Sequence, residues 1–256
     1  MTDSTWKVDV LLKGSWRGAT STLLSSGRHH ILVDTGLPHE AHQLIAALKT
    51  HGLRPDDIGT IINTHFHVDH VLNNCLFPSS TIYATEQSHD WCCSLYSDLR
   101  SEQGWETAAL KYYPETFEEA RFVQNMGKLR NFALRWWDAA RLGARSQYRW
   151  IETHPLPDGL ESLITWGHVP GHASIIIRGA TEPIVIAADA LLSRDHDEQV
   201  LTMIPFNRAQ YLEDRARILA LGGQIIPGHD QGFHLSPAAA DVQPPVDRAA
   251  GKHTAF

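Results

Sequence analysis

Four side chains able to ligate a metal ion, His65, His67, Asp69 and His70, crowd into six residues of the segment THFHVDH. They follow a β-prone run at residues 59–63, so a strand end would present them from one loop. In extended backbone, residues two apart face the same side. His65 and His67 can therefore share one ion while the turn that follows aims Asp69 and His70 at a second. Three further candidates stand after β-prone runs: His172 in HVPGH, Asp189 in IVIAADA and His229 in IIPGHD. A single loop histidine is more often a solvated or capping residue, and a single aspartate after a strand is more often a turn former. The set argues otherwise, because HxHxDH specifies four of six positions and all three downstream partners fall at strand ends. Imidazoles with carboxylates suit zinc first, with iron or manganese as alternatives. Two such ions about 3.5–4 Å apart bring the pKa of a shared water toward about 7 and polarise the oxygen under attack, so hydrolysis needs no side-chain nucleophile.

The elements that must position these residues alternate between two periods. Residues 8–12, 20–24 and 31–33 read as strands of a meander that ends in the turn Asp34-Thr35-Gly36. Leu44, Ile45 and Leu48, with Gly52 as a stop, predict a helix over 39–52. Strands at 59–63 and 81–84 complete an α/β rhythm. From about residue 86 to 148 β-branched residues are few. There Phe122, Met126, Leu129, Ala133, Trp136 and Ala140 repeat at steps of four and three, which predicts a long amphipathic helix broken near Gly127 or Gly143. The β rhythm returns at 174–177 and 183–187, followed by a helix over 207–221 and a strand at 224–226. The tail from Pro237 has no clear period and reads as a loosely packed end.

The chain resembles the metallo-β-lactamase superfamily in five segments, taken in the family's order: ILVDTG at 31–36, THFHVDH at 64–70, PGH at 170–172, ADA at 188–190 and PGH at 227–229. The resemblance implies an α/β fold, a four-layer αββα sandwich with the metals at one edge of its two sheets. It implies that His65, His67 and His172 hold one ion, that Asp69, His70 and His229 hold the other, and that Asp189 bridges both. Asp34 matches the family's structural aspartate. The glutamate that marks the di-iron branch, in an HxExD pattern, is replaced here by His67, which points away from redox chemistry. Asp69 is the candidate to donate a proton to the leaving group. One domain over residues 1–256 is expected, with a helical cap at about 86–150 inserted in it.

Substrate is less legible. The acyl-homoserine-lactonase branch resembles the chain in size and ligands, but it carries a tyrosine three residues after the bridging aspartate, where this chain has Leu192. The glyoxalase II branch shares the last PGH, without its C-terminal helical substrate domain. A partial likeness to metallo-β-lactamase-domain proteins linked to histone pre-mRNA processing, in ILVDTG, LFP at 76–78 and RDHDE at 194–198, keeps a phosphodiesterase or ribonuclease as the alternative. With 22 Lys and Arg against 29 Asp and Glu, the net charge of −7 gives no global basic footprint for nucleic acid. Locally the balance inverts. Between Arg121 and Arg149 seven basic residues face Asp138 alone. Arg121, Lys128 and Arg135, spaced by seven, could line one helix flank for phosphates or a small anion. In a lid reading, Trp105, Tyr112, Tyr113, Trp136 and Trp137 wall an apolar pocket, and Arg130 and Arg135 meet an anionic group. The same aromatics suit a passive cap or a homodimer interface equally well.

Composition bounds these readings. At 43% hydrophobic and 20% charged residues the chain is not disordered. No apolar run approaches the roughly 20 residues of a membrane span; the best, at 174–192, is broken by Arg178, Glu182 and Asp189. Cys75, Cys92 and Cys93 do not form a disulfide framework, and no secretory h-region is present, so the expected compartment is cytoplasmic. The expected activity is hydrolysis of a small-molecule ester, lactone or thioester by two divalent cations. An idle metal-binding protein is the remaining reading.

Overall fold

The computed structural model describes residues 6–15, 18–102, 105–113, 120–178, 181–195 and 205–236, and their strands form two sheets. The first sheet runs in chain order: β1 (Lys7–Leu12), β2 (Ser21–Ser26), β3 (His29–Val33), β4 (Thr60–Ile62), β5 (Thr81–Ala84) and β6 (Tyr148–Trp150). β1 to β3 form the antiparallel meander, and β3 to β6 are parallel. The parallel crossovers carry helices: α1 (Ala41–Thr50) and the short α2 (Val68–Val71), then α3 (Glu86–Arg100), α4 (Trp105–Tyr112) and α5 (Ala120–Trp136) between β5 and β6. The second sheet contains β7 (Leu160–Ile164), β8 (Ala173–Ile177), β9 (Ile184–Ala188), β10 (Gly223–Pro227) and β11 (Phe233–Leu235), adjacent in that order. Its one parallel pair, β9 with β10, is linked through α6 (Arg208–Leu221).

Side-chain alternation along the strands builds the layers, because successive residues point to opposite faces. Leu23, Leu32, Ile61 and Ile82 pack with Leu44 and Leu48 of α1 and with Leu95 and Leu99 of α3. Their neighbours Leu24, Ile31, Val33 and Ile62 turn the other way and meet Ile175, Ile177, Ile186 and Ile226 of the second sheet. Val185, Ala187 and Ile225 then face Ile218 of α6. The result is helix, sheet, sheet, helix, a four-layer αββα sandwich, with the second sheet apolar on both faces where it is central.

Three short strands, β6, β7 and β11, escape the sequence reading. β6 and β11 are three residues long, too short for a period-2 pattern, and Leu160-Glu161-Ser162-Leu163-Ile164 of β7 has no clean alternation. The expected break at Gly127 is absent, since α5 runs continuously through it; α-helical geometry ends after Trp136, and a 3-10 turn at Ala139–Leu142 then stops at the left-handed Gly143. A glycine inside a helix costs about 1 kcal/mol, which the rest of α5 tolerates. The tail from Pro237 lies outside the described residues. No helix among the described residues is long and apolar enough to cross a membrane.

Because Ile186 sits between the sheets at 4% exposure, Ile186→Ala is expected to lower unfolding free energy by about 2–5 kcal/mol. Urea denaturation of the metal-free protein, with an unchanged m-value, checks this.

Candidate metal centre

β3, β4, β9 and β10 all deliver their C-terminal ends to one edge of the sandwich. At the end of β3 the chain turns through Asp34, whose φ of +57° is left-handed, a conformation that a short polar side chain tolerates. Its carboxylate accepts from Thr64 N–H at 2.9 Å, from Thr64 Oγ1 at 2.7 Å and from His70 Nδ1 at 2.7 Å. Asp34 thus fixes the loop after β4 and the tautomer of His70 together, leaving His70 Nε2 to face Asp189 Oδ1 at 3.3 Å.

The loop after β4 then presents its ligands as the spacing predicts, with His65 and His67 neighbours at 4.7 Å between ring centroids and Asp69 and His70 on α2. At the end of β9, Ala188 adopts φ +45°, and Asp189 turns inward. Gly228 of the turn after β10 lies so close to Asp189 Oδ1 that a Cβ there would overlap it, so only glycine fits. His229 follows; its Nδ1 donates to Ser15 O at 2.7 Å, while Nε2 faces Asp69 Oδ2 at 3.4 Å and Asp189 Oδ2 at 3.3 Å.

Two groups of ligand atoms result. His65, His67, His168 and Asp189 form one; Asp69, His70 and His229 form the other. Asp189 spans them, with Oδ2 3.3 Å from His168 Nε2 and 3.9 Å from His65 Nε2, and Oδ1 turned to His70. The structure therefore brings together six of the seven residues expected from the sequence; His172 stands outside the two groups. His168, not His172, completes the first group. His172 lies 4.9 Å from His65 between ring centroids, but both its nitrogens are engaged: Nδ1 with Thr165 Oγ1 at 2.7 Å, Nε2 with Asp189 N–H at 3.2 Å. The two histidines share the segment GHVPGH between β7 and β8. Thr165 N–H donates to His172 O and Ala173 N–H to Thr64 O, which draw His172 into the body of the sheet. Phe206 N–H and Asn207 N–H donate to the carbonyls of His168 and Gly167, fixing the outer part of the turn over the cluster.

The residues fit divalent cations. His65 Nε2 is buried without a hydrogen-bond partner among the described residues, His67 Nδ1 faces His168 Nε2 at 3.0 Å, and His70 Nε2 faces Asp189 Oδ1 at 3.3 Å, a crowding of buried ligand atoms that is costly unless a further group satisfies it. Burial drives His65 and His168 well below the usual histidine range and His67 to about 4, so these imidazoles are neutral and able to ligate. For His70 and His229 burial acts in the same direction but is outweighed by carboxylates. Asp189, Asp34 and Asp69 hold His70 well above its ordinary value, and Asp189 and Asp69 bring His229 to about 9. Asp189 itself, despite the burial that favours its neutral form, is held well below the usual carboxylate range by His229 and His70.

Residues 14–229, which include every member of the cluster, match the family model of the Metallo-beta-lactamase superfamily. The chain is a hydrolase of that superfamily. Human metallo-beta-lactamase domain-containing protein 1 is 26% identical over 227 residues, 88% of this chain and 67% of the relative. The mouse counterpart is likewise 26% identical over 85% of the chain and 66% of its own length, so the chain spans about two thirds of these relatives. An N-acyl homoserine lactonase of Bacillus cereus is 22% identical over 77% of this chain and 73% of its own. Among solved structures, a metallo-beta-lactamase family protein from Thermus thermophilus superposes with a TM-score of 0.61 at 21% identity, covering 91% of this chain and 77% of its own. The dizinc quorum-quenching lactonase AidC gives 0.56 at 21%, covering 82% and 72%. As in the superfamily at large, the fold and the His/Asp cluster imply divalent metal ions.

The helices of this superfamily member use their aromatics for packing. Tyr112, Tyr113 and Trp137 are buried in the core beneath the first sheet, Trp137 stacked on Tyr96 at 4.4 Å and both tyrosines edge-on to Trp91. Tyr112 also donates to Asp98 at 2.8 Å. Trp105 lies under the Arg130 guanidinium, and Trp136 lies between Arg135 and His39. A surface cleft of about 550 Å³ does border Trp137, with Cys93, Ser97, Arg100, Ser101 and Ala139, but it shares no residue with the metal cluster. Of RDHDE, Arg194 and Asp195 are described and the remainder lies outside the described residues.

Removing Asp34 strands three buried partners. Asp34→Ala, measured with chelator present, is expected to lower stability by about 3–5 kcal/mol. A loss under 1 kcal/mol in thermal or urea unfolding would refute its keystone role.

Proposed function

We propose that this chain is a dinuclear metal-dependent hydrolase of a small-molecule ester, lactone or thioester. The observation that carries the reading is Asp189, whose two oxygens face the two ligand groups at once. In this reading His65, His67 and His168 hold one cation, Asp69, His70 and His229 hold the other, and Asp189 is shared. Zinc is the first choice, on the neutral imidazoles here and on the dizinc character of AidC. When bound, the cations would supply Lewis acidity and a water acidic enough to attack at neutral pH.

The protein side of the mechanism follows from burial. His65, His70 and His168 line the closed floor, while His67, Asp69 and His229 are partly exposed and form the open face by which substrate enters. Asp69, with its carboxylate on that face and 3.4 Å from His229 Nε2, is placed to hold a proton for the departing oxygen or sulfur. Asp34 keeps His70 in one orientation, and Ser15 O keeps His229 in one tautomer, so neither ring has to reorganise during turnover.

Acyl substrates are preferred over phosphodiesters because the basic segment is largely used within the fold. Arg145 pairs with Glu86 at 2.9 Å, Arg141 reaches Leu72 O, and Arg130 and Arg135 lie on indole faces. The lactonases among the relatives support the same side.

Metal analysis combined with a substrate panel tests the reading. Zinc-loaded protein is expected to retain two equivalents per chain and to turn over a lactone or an aryl thioester, with activity lost to chelator and restored by Zn2+. His168→Ala is expected to lose metal, and Asp69→Asn to keep both equivalents while kcat falls about 100-fold or more. Turnover of a bis-aryl phosphate alone would move the assignment to a phosphodiesterase. Fewer than one equivalent of metal would end it.

A further inference from the structure

The residue displaced from the ligand set has a defined task. We infer that His172 is a positioning residue that sets the carboxylate of Asp189 between the two ligand groups, by closing a one-way ring of hydrogen bonds around Ala188. The inference rests on Asp189 being the shared ligand.

The ring begins at Asp189 N–H, which donates to His172 Nε2 at 3.2 Å. His172 Nδ1 meets Thr165 Oγ1 at 2.7 Å, Thr165 Oγ1 meets Ser174 Oγ at 3.0 Å, and Ser174 Oγ donates to Ala187 O at 2.9 Å. Both ends of this relay are fixed in polarity, since a backbone N–H can only donate and a carbonyl can only accept. Ser174 has therefore given its proton to Ala187 O and accepts from Thr165 at 3.0 Å, the shorter of the two contacts open to the Thr165 hydroxyl, the other being Leu163 O at 3.4 Å. Thr165 in turn accepts from His172 Nδ1–H, which leaves Nε2 without a proton and free to accept Asp189 N–H. One tautomer of His172 satisfies the ring, and it is a neutral one.

The ring clasps the two peptide units on either side of Ala188, the residue held at φ +45°. On the opposite side Gly228 N–H donates to Ala188 O at 2.9 Å. The segment 187–189 is thereby gripped at Ala187 O, Ala188 O and Asp189 N, and the direction in which Asp189 leaves the backbone is determined. His172 cannot ligate a cation in this arrangement without giving up either Thr165 or Asp189 N–H. All of its partners are buried, so no solvent competes for them.

Cobalt titration of the full chain tests the assignment. His172→Phe keeps the ring shape and removes both nitrogens. His172→Gln offers Oε1 to Asp189 N–H. Thr165→Val removes the acceptor of Nδ1–H. Wild-type protein is expected to bind two Co2+. His172→Phe should bind Co2+ roughly 10–100-fold more weakly with altered visible d–d bands, His172→Gln should recover most of the affinity, and Thr165→Val should fall between. If His172→Phe lowers only the melting temperature and leaves affinity and spectrum as in wild type, the residue merely packs and the inference is overturned. Long-range 1H–15N spectra of metal-free wild type provide a second readout, independent of any variant's folding. A protonated Nδ1 is expected, and a protonated Nε2 overturns the ring. Wild-type protein that binds no Co2+ would instead overturn the metal-centre reading.

Discussion

Asp189 reaches both groups of ligating side chains, and its reach depends on a backbone conformation that alanine adopts at a cost. A non-glycine residue in the left-handed region forfeits about 1–3 kcal/mol, and it persists only where its surroundings over-determine it. Here they do. The Ala188 carbonyl is taken by Gly228, the Asp189 amide by His172, and the space beyond Asp189 Oδ1 admits no side chain at position 228. Straightening the chain at Ala188 would leave a buried amide and a buried carbonyl without partners, each a penalty comparable to the strain. The site is thus held open by the same bonds that hold the second sheet to the turn after β10.

The first sheet uses the same device at Asp34. Two strand ends, each leaving its sheet through a left-handed residue, bring a carboxylate against the histidine-rich loop. Asp34 orients that loop from beneath, and Asp189 is oriented so as to interact. The difference lies in their partners. Every near neighbour of Asp34 is a donor fixed within the fold, two of the three on Thr64, whereas both carboxylate oxygens of Asp189 face imidazoles of the cluster. Buried carboxylates facing neutral or shared-proton imidazoles are poor structural glue, because desolvation offsets much of the attraction. Such an arrangement is expected where charge is to be received from outside.

Much of this was legible from residue order. HxHxDH encodes its geometry locally, since extended backbone followed by one helical turn suffices to split four candidate ligands between the two groups. β2, β3, β4 and β8 to β10 were legible as β-prone runs, while the layers they build followed from the family resemblance. The choice between His168 and His172 was not legible, because it turns on contacts of His172 with Thr165 and Asp189 that lie up to 17 residues away and form only when β7, β8 and β9 pair. Helical periodicity likewise could not tell an aromatic wall from an aromatic core. Tyr113 and Trp137 satisfy either pattern, and only the arrival of Trp91 and Tyr96 on α3 decides their packing.

The basic segment shows why charge counts mislead when read apart from packing. A run of seven cations with one anion suggests an anionic ligand, yet guanidinium groups are as well suited to aromatic faces as to phosphates. Arg130, Arg135 and Arg145 each cover an indole, of Trp105, Trp136 and Trp150. Their aliphatic stems extend the apolar surface of the helical layer while the charged heads stay near water. The local excess of positive charge then follows from an excess of tryptophan needing cover at the edge of a core. It requires no polyanion. Selectivity is better sought on the open face, where His67, Asp69 and His229 reach solvent and where the carboxylates already repel a substrate that brings much negative charge of its own.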